Sequence, residues 1–133
     1  MGFEDDVLAA NAAFYDAFSR GDVEAMERLW AERAMVACVH PGRVPLFGRV
    51  AVLEGWRLIM TGPERPRITC RNAVVHKLGD ESAFVVCIEV LAGGPLAATN
   101  VFVREDGVWK LTQHHAGFVA TPEPGSRGGE TIH

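Results

Sequence analysis

The fold of this chain is decided by residues 97–116, which read AATNVFVREDGVWKLTQHHA. Two runs of alternating, β-prone residues flank the dipeptide Asp106-Gly107, a strong signal for a two-residue type I′ hairpin. Because side chains alternate between the two faces of a strand, the turn also determines which residues share a face. The sequence therefore predicts an antiparallel hairpin whose register can be counted outward from Asp106-Gly107.

This register predicts one inward face that is apolar near the turn and polar further along. Phe102 is predicted opposite Leu111 and Asn100 opposite Gln113, with His115 on the same face. An apolar face with a few converging polar groups is what a small-molecule pocket requires. The other face is predicted to carry Thr99, Val101, Val103, Lys110, Thr112 and His114.

Length and composition exclude several classes of protein. The 133 residues suffice for one domain with its own core, and the net charge of −4 comes without a basic cluster. No apolar run approaches the roughly 18 residues of a membrane span. The acidic start at 1–6 does not resemble a signal peptide. We therefore expect neither nucleic acid nor a membrane as a partner.

The three cysteines predict a reducing environment. Cys38, Cys70 and Cys87 are odd in number, have no CxxC spacing, and each falls inside a strand-like run. Buried free thiols are typical of such positions. We therefore expect a cytoplasmic protein whose cysteines form no disulfide within the chain.

Three helices are predicted before most of the strands. Val7, Phe14 and Phe18 recur at helical spacing, Gly21 suits a C-terminal cap, and Asp22 suits the N-cap of the next helix. The helices are predicted at 4–20, 23–30 and 50–60, and the strands at 35–40, 67–77, 82–91, 96–105 and 108–119.

Between the first strand and the third helix, residues 41–49 are predicted to be irregular. The segment 121–133 is rich in Pro, Gly and charge, which is typical of a flexible C-terminal tail. Residues 1–120 then form one α+β domain, with helices packed on one face of an antiparallel meander. Such a sheet curves around its helices and leaves a cone-shaped cavity.

This order of elements resembles the nuclear transport factor 2-like (NTF2-like) superfamily, and within it the SnoaL-like branch, close to kinase association-domain-like proteins. The segments that carry the resemblance are Phe14-Tyr15-Asp16-Ala17-Phe18 with Gly21-Asp22, Leu29-Trp30, His40-Pro41-Gly42, Gly48 followed by Trp56, and the two strands of the hairpin. The resemblance implies a cone-shaped fold, with three N-terminal helices packed on a curved, mostly antiparallel sheet, and a homodimer. It implies function weakly, because the superfamily includes isomerases, cyclases, dehydratases and non-catalytic assembly domains.

The candidate catalytic residues are His40, His115 and Tyr15. An imidazole at either histidine could act as an acid or base near neutral pH, or could serve only as a buried hydrogen-bonding group. Tyr15 lies where ketosteroid-isomerase-like relatives carry an oxyanion-stabilising tyrosine, but the carboxylate base that they carry at the end of the first strand is replaced here by Val39-His40. A tyrosine in the core with a satisfied hydroxyl is the alternative.

The candidate ligand-binding residues are mostly apolar, and they could equally fill the core. They are Trp30, Trp56, Met60, Asn100, Phe102 and Gln113. No cofactor motif is present. Cys38 and His40 share a face, but no further zinc ligands occur at a recognised spacing, so we expect neither a cofactor nor a metal.

Each of the charged residues Glu89, Arg43 and Arg49 allows two interpretations. Glu89 lies within a strand on the same face as Cys87, and it could pair with Arg71 or Arg57 or act as a catalytic carboxylate. Arg43 and Arg49 flank the loop after His40, and could meet an anionic ligand or remain solvated.

Two functional hypotheses follow. The first is a small-molecule-binding domain, acting as a cofactor-independent lyase or isomerase on a small apolar or ring substrate. The second is a non-catalytic homodimerisation or association module, which uses the apolar outer face of the sheet. That interface is predicted to contain Thr99, Val101, Val103, Thr112 and His114.

Overall fold

A computed structural model describes residues 2–120, so the predicted flexible tail at 121–133 lies outside the described residues. The helices are α1 (Phe3–Arg20), α2 (Val23–Leu29) and α3 (Arg49–Thr61). The strands are β1 (Ala37–Val39), β2 (Leu46–Phe47), β3 (Thr69–Gly79), β4 (Ser82–Leu91), β5 (Gly94–Glu105) and β6 (Val108–Phe118). The predicted helices are confirmed within a few residues. In the described part of the chain, no helix combines the length and apolarity needed to cross a membrane.

The boundary between α1 and α2 forms as the sequence predicts. Gly21 has a φ of 70°, and its N–H donates to the carbonyl of Phe18, which ends α1. The Asp22 side chain then accepts a hydrogen bond from the Ala25 N–H at 3.1 Å and begins α2. These two caps fix the angle between the first two helices.

The six strands form one mixed sheet in the order β2-β1-β6-β5-β4-β3. All neighbouring pairs are antiparallel except β1 and β6. The pair β1–β2 corrects the prediction that 41–49 is wholly irregular, because Leu46 lies opposite Cys38. The helices pack on one face of the sheet and bury a single hydrophobic core against it.

The hairpin begins in the predicted register and then departs from it. Asp106 and Gly107 both have positive φ, as a type I′ turn requires, and Phe102 lies opposite Leu111. The next pairs, however, are Val101 with Gln113 and Asn100 with His114. Thr112 is therefore an extra residue in β6, a β-bulge.

The bulge reverses the alternation of side chains beyond it. Asn100 stays buried as predicted, but His114 is the histidine that joins it, whereas Gln113 and His115 are exposed on the outer face. The predictions that Gln113 and His115 face the pocket and that His114 faces outward are therefore wrong. The physical reason is that one extra residue in a strand exchanges its two faces.

A buried carboxylate ties the turn of the hairpin to the segment before β1. Glu105 accepts hydrogen bonds from the backbone N–H groups of Glu32, Arg33 and Ala34, at 3.0, 3.0 and 2.9 Å. Burial alone would raise the pKa of Glu105, but these three donors together lower it below its ordinary value. The carboxylate thus satisfies three backbone donors that no strand pairs.

We expect Glu105→Ala to lower the free energy of unfolding by about 2–3 kcal/mol, because it leaves three backbone donors without their acceptor. Chemical denaturation measures this change. The control is Glu24→Ala on the exposed side of α2, which should change stability by less than about 0.5 kcal/mol. Equal effects of the two substitutions would contradict this role of Glu105.

Candidate active site

A cavity of about 410 Å³ opens between α3, the loop after it, and the inner face of the sheet. We call it the main cavity. Its apolar wall includes Phe18, Trp56, Leu58, Ile59, Ile68, Leu91 and Leu96. Its polar and charged side chains are His40, Arg43, Glu64, Glu89 and His114. The main cavity therefore joins a mostly apolar wall to a small set of titratable groups.

His114 lies at the wall of this cavity in a fixed orientation. Its side chain is 2% exposed, and its ring packs 5.1 Å from Phe14 and 5.6 Å from Trp56, measured between ring centroids. Its Nδ1 atom lies 2.6 Å from Oδ1 of Asn100. The parallel pairing of His114 with Cys38 in β1 further restrains this part of β6.

The partners of Asn100 determine which nitrogen of His114 carries the proton. Asn100 Nδ2 donates to Asn11 Oδ1 at 2.9 Å and to the Tyr15 hydroxyl at 3.1 Å. Asn100 Oδ1 therefore accepts, and the neutral His114 ring donates from Nδ1. The lone pair is left on Nε2, which lies 3.8 Å from Oε2 of Glu89.

Both histidines at the cavity are held in the neutral form. Burial lowers the pKa of His114 to about 3, with further lowering by the charges of His40 and His115. Burial, followed by the positive charge of Arg43, lowers the pKa of His40 to about 4. The two rings lie 6.3 Å apart between centroids, so protonation of one disfavours protonation of the other.

Glu89 lies beside His114 and has no cationic partner within the described residues. It is 2% exposed, and its Oε2 accepts a hydrogen bond from the Tyr15 hydroxyl at 2.6 Å. Burial raises the pKa of Glu89, against the opposing effect of the Tyr15 hydrogen bond. A carboxyl group with a raised pKa can hold a proton and donate it within the site.

The predicted ion pairs of Glu89 are wrong. Arg57 instead pairs with Glu27 at 3.4 Å, and Arg71 lies exposed, opposite Ile88 in the sheet. Arg49 donates to the backbone carbonyls of Glu27, Trp30 and Ala31 and takes no part in the cavity. Arg43, by contrast, does line the cavity.

The structure separates the predicted site residues into three groups. His40 and Trp56 line the main cavity, and Tyr15 and Asn100 lie one hydrogen bond behind it. Buried in the core, without lining the cavity, are Trp30, Met60 and Phe102. Gln113 and His115 lie on the outer face. Sequence analysis did not predict His114 as a pocket residue, because no local sequence signal indicates a bulge at Thr112.

The cysteines and the described residues around them offer no metal centre. Among residues 2–120, no group of three or more His, Cys, Asp or Glu side chains is placed to hold a metal ion. Cys38 Sγ lies 3.5 Å from His40 Nε2, and burial raises the pKa of Cys38 to about 12, so it remains a thiol. Cys70 and Cys87 are also free.

Helices packed on one face of a mixed, open six-stranded sheet, with a polar cluster at the wall of an apolar cavity, define a protein of the NTF2-like class. The chain belongs to the SnoaL-like domain family, whose model matches residues 7–121.

Two solved structures resemble this chain in both sequence and fold. The first, a provisionally assigned dehydratase of the NTF2-like family from Streptomyces avermitilis, is 35% identical, with a TM-score of 0.80, over 88% of this chain and 96% of its own. The second, a provisionally assigned calcium/calmodulin-dependent protein kinase type II association domain from Thiobacillus denitrificans, is 34% identical, with a TM-score of 0.74, over 84% and 94%.

A curated relative, the F-box protein SKIP8 of Arabidopsis thaliana, is 27% identical over 112 residues, which are 83% of this chain. The match covers 48% of SKIP8, so the chain spans about half the length of this relative.

The neutral state of buried His114 generates a pH-dependent stability. When unfolded, His114 takes up a proton as the pH falls below its ordinary pKa of 6.5, whereas the folded ring stays neutral down to about 3. The contribution of neutral His114 to the free energy of unfolding is therefore complete above pH 6.5, and it is lost as the pH falls below 6.5. Between about pH 7 and pH 5 this loss amounts to about 2 kcal/mol.

We expect this fall in unfolding free energy from about pH 7 to pH 5 to be smaller by about 2 kcal/mol in His114→Gln than in the wild type. Urea denaturation at the two pH values measures it. His115→Gln is the matched control, because it removes the adjacent imidazole on the exposed face and should leave the fall unchanged. A His114→Gln protein with the wild-type pH dependence would show that His114 is not held neutral.

Proposed function

We propose that this protein is a cofactor-independent lyase or isomerase, in which His114 acts as the base and Glu89 as the acid on a small apolar or ring substrate. The observation that carries the proposal is the distance of 3.8 Å between the unprotonated Nε2 of His114 and the Glu89 carboxyl, at the wall of the main cavity. General acid and base groups must lie within reach of the same substrate atoms.

For a lyase, the two groups account for the elimination of water. His114 Nε2 takes a proton from the carbon next to a carbonyl group, while Glu89 gives its proton to the hydroxyl on the following carbon. The C–H and C–O bonds break, a C=C bond forms, and water leaves. The proton on His114 then returns to the Glu89 carboxylate, which restores both groups.

For an isomerase, the same pair moves a proton without loss of water. His114 takes the proton from one carbon and returns it to another, while Glu89 donates a hydrogen bond to the oxygen of the intermediate enolate. In this scheme Glu89 is protonated and His114 is neutral before the reaction, so the pair carries no net charge. During elimination it becomes an imidazolium beside a carboxylate, so the two new charges stabilise each other.

Tyr15 and Asn100 act as positioning residues in this scheme. The Tyr15 hydroxyl is committed to Glu89, Asn100 and Cys87 and does not line the main cavity. An oxyanion-stabilising role for Tyr15, as in ketosteroid-isomerase-like relatives, would require its hydroxyl to face the substrate. His40 instead contributes a neutral ring to the rim, packed 4.7 Å from Trp56 between centroids.

The dehydratase assignment of the Streptomyces avermitilis relative supports a lyase, because that protein shares 35% of its sequence with this chain across nearly its full length. Water loss beside a carbonyl group is the reaction for which a neutral imidazole and a protonated carboxyl are suited.

The test is exchange of α-protons for deuterium in D₂O, followed by proton NMR on a panel of cyclic and aryl ketones. This exchange reports proton abstraction whether the reaction is an elimination or an isomerisation. We expect wild-type protein to catalyse exchange on part of the panel. Glu89→Gln and His114→Asn should each lower the rate by about 100-fold or more, because each removes one proton-transfer group.

His115→Gln is the matched control for this assay and should retain the wild-type rate, since His115 lies on the outer face. Absence of exchange across the panel would contradict the proposed function. Full exchange in both Glu89→Gln and His114→Asn would contradict the assignment of these residues.

A second candidate is a homodimeric association module, which is favoured by the outer face of the sheet. Val74 and Val86 are 52% and 40% exposed there, next to a shallow groove formed by Ala97, Thr99 and His115. Apolar surface of this kind is typical of a protein interface. The relative from Thiobacillus denitrificans, assigned as an association domain, supports the same proposal. Self-association and a cytoplasmic location are compatible with either function.

We expect the chain to form a dimer with twice the 14.5 kDa chain mass at micromolar concentration. Val86→Glu should convert it to a monomer, because it buries a charge in the interface. Light scattering measures the mass. Val50→Glu is the control, because Val50 is 86% exposed on α3, away from the outer face. A monomeric wild type would contradict the interface.

A further inference from the structure

A second cavity, also of about 410 Å³, adjoins the main cavity at its rim. We call it the side cavity. The two cavities share four lining residues, which are His40, Arg43, Leu58 and Ile59. The side cavity is completed by Gly42, Val44, Leu46 and Gly55. A ligand seated in the main cavity can therefore extend past His40 into the side cavity.

Charge distinguishes the two cavities. Arg43 is the one Lys, Arg, Asp or Glu residue that lines the side cavity, whereas in the main cavity its charge is accompanied by Glu64 and Glu89. Within residues 2–120, Arg43 forms no ion pair. Its backbone N–H donates to the carbonyl of His40 at 3.0 Å, which holds Arg43 at the rim shared by both cavities. Arg43, whose side chain is exposed, therefore contributes the one formal charge at the wall of the side cavity.

Gly55 in α3 leaves the space that the Leu46 side chain occupies at the wall of the side cavity. A Cβ atom at this position would lie 2.7 Å from Leu46 Cδ1 and 3.7 Å from His40 Nε2. Any larger residue must therefore displace the Leu46 side chain within the side cavity. A glycine inside a helix is unfavourable for helix formation, so the space at Gly55 comes at a cost in stability.

We propose that the ligand of this protein is an apolar monocarboxylate, with its carboxylate on Arg43 in the side cavity and its ring or chain in the main cavity. One guanidinium matches one carboxylate in both charge and geometry, whereas a phosphate dianion would require further donors. The apolar walls accept the rest of the ligand and lead toward Glu89 and His114. The orientation of the ligand rests on the proposed function, but its carboxylate contact does not.

The test compares each acid with its uncharged amide. Isothermal titration measures the dissociation constants of phenylacetate, 3-phenylpropionate and 4-phenylbutyrate and of the three matching amides. We expect at least one acid to bind about tenfold more tightly than its amide, because only the acid gains a charge-assisted hydrogen bond. In Arg43→Gln the ratio of the amide's dissociation constant to that of the acid should fall to about one. In Arg28→Gln, which lines neither cavity, the ratio should not change.

Gly55→Ala tests the space independently of the charge. It should weaken binding of the same acid about tenfold while leaving thermal stability equal or higher, because alanine favours the helix. A ratio that persists in Arg43→Gln, or failure of all three acids to bind at millimolar concentration, would overturn the proposal. The titrations measure binding and not turnover. If the acids bind as expected but the ketone panel shows no α-proton exchange, the proposed function is contradicted and this inference still stands.

Discussion

The hydrogen bond between His114 Nδ1 and Asn100 Oδ1, at 2.6 Å, is the interaction on which the site depends. It exists because Thr112 is an extra residue in β6, which turns His114 toward the helices and leaves His115 outside. Asn100 is itself held by Asn11 and Tyr15 of α1. The helix and the bulged strand thus fix one ring in one orientation, with its remaining nitrogen toward Glu89.

The electrostatic character of the site follows from burial without a compensating charge. Glu89 and His114 are both 2% exposed, and the described residues supply no arginine or lysine to either. Isolated charges are costly in such surroundings, so burial lowers the pKa of His114 and raises the pKa of Glu89. In the proposed reaction, His114 takes a proton from the substrate and Glu89 gives one to it, so an imidazolium forms beside a carboxylate and the two charges stabilise each other.

Local signals in the sequence were sufficient for most of the fold. The caps at Gly21 and Asp22 and the turn at Asp106-Gly107 each depend on a few neighbouring residues, and each forms as predicted. The bulge at Thr112 lies instead where β6 pairs with β1 as well as with β5, and β1 is distant in sequence. A strand of two residues such as β2 is too short to show alternation. Because the bulge could not be predicted, the sequence identified Glu89 and Asn100 as candidate residues but could not show which histidine lies beside them.

The most direct test of this account is the protonation of His114, followed by two-bond nitrogen–proton NMR of the histidine rings from about pH 5 to pH 8, the range in which an ordinary imidazole titrates. The signals are assigned by comparison with His114→Gln. The account predicts a neutral ring protonated on Nδ1 throughout this range. A ring protonated on Nε2, or an imidazolium that forms within this range, would contradict it.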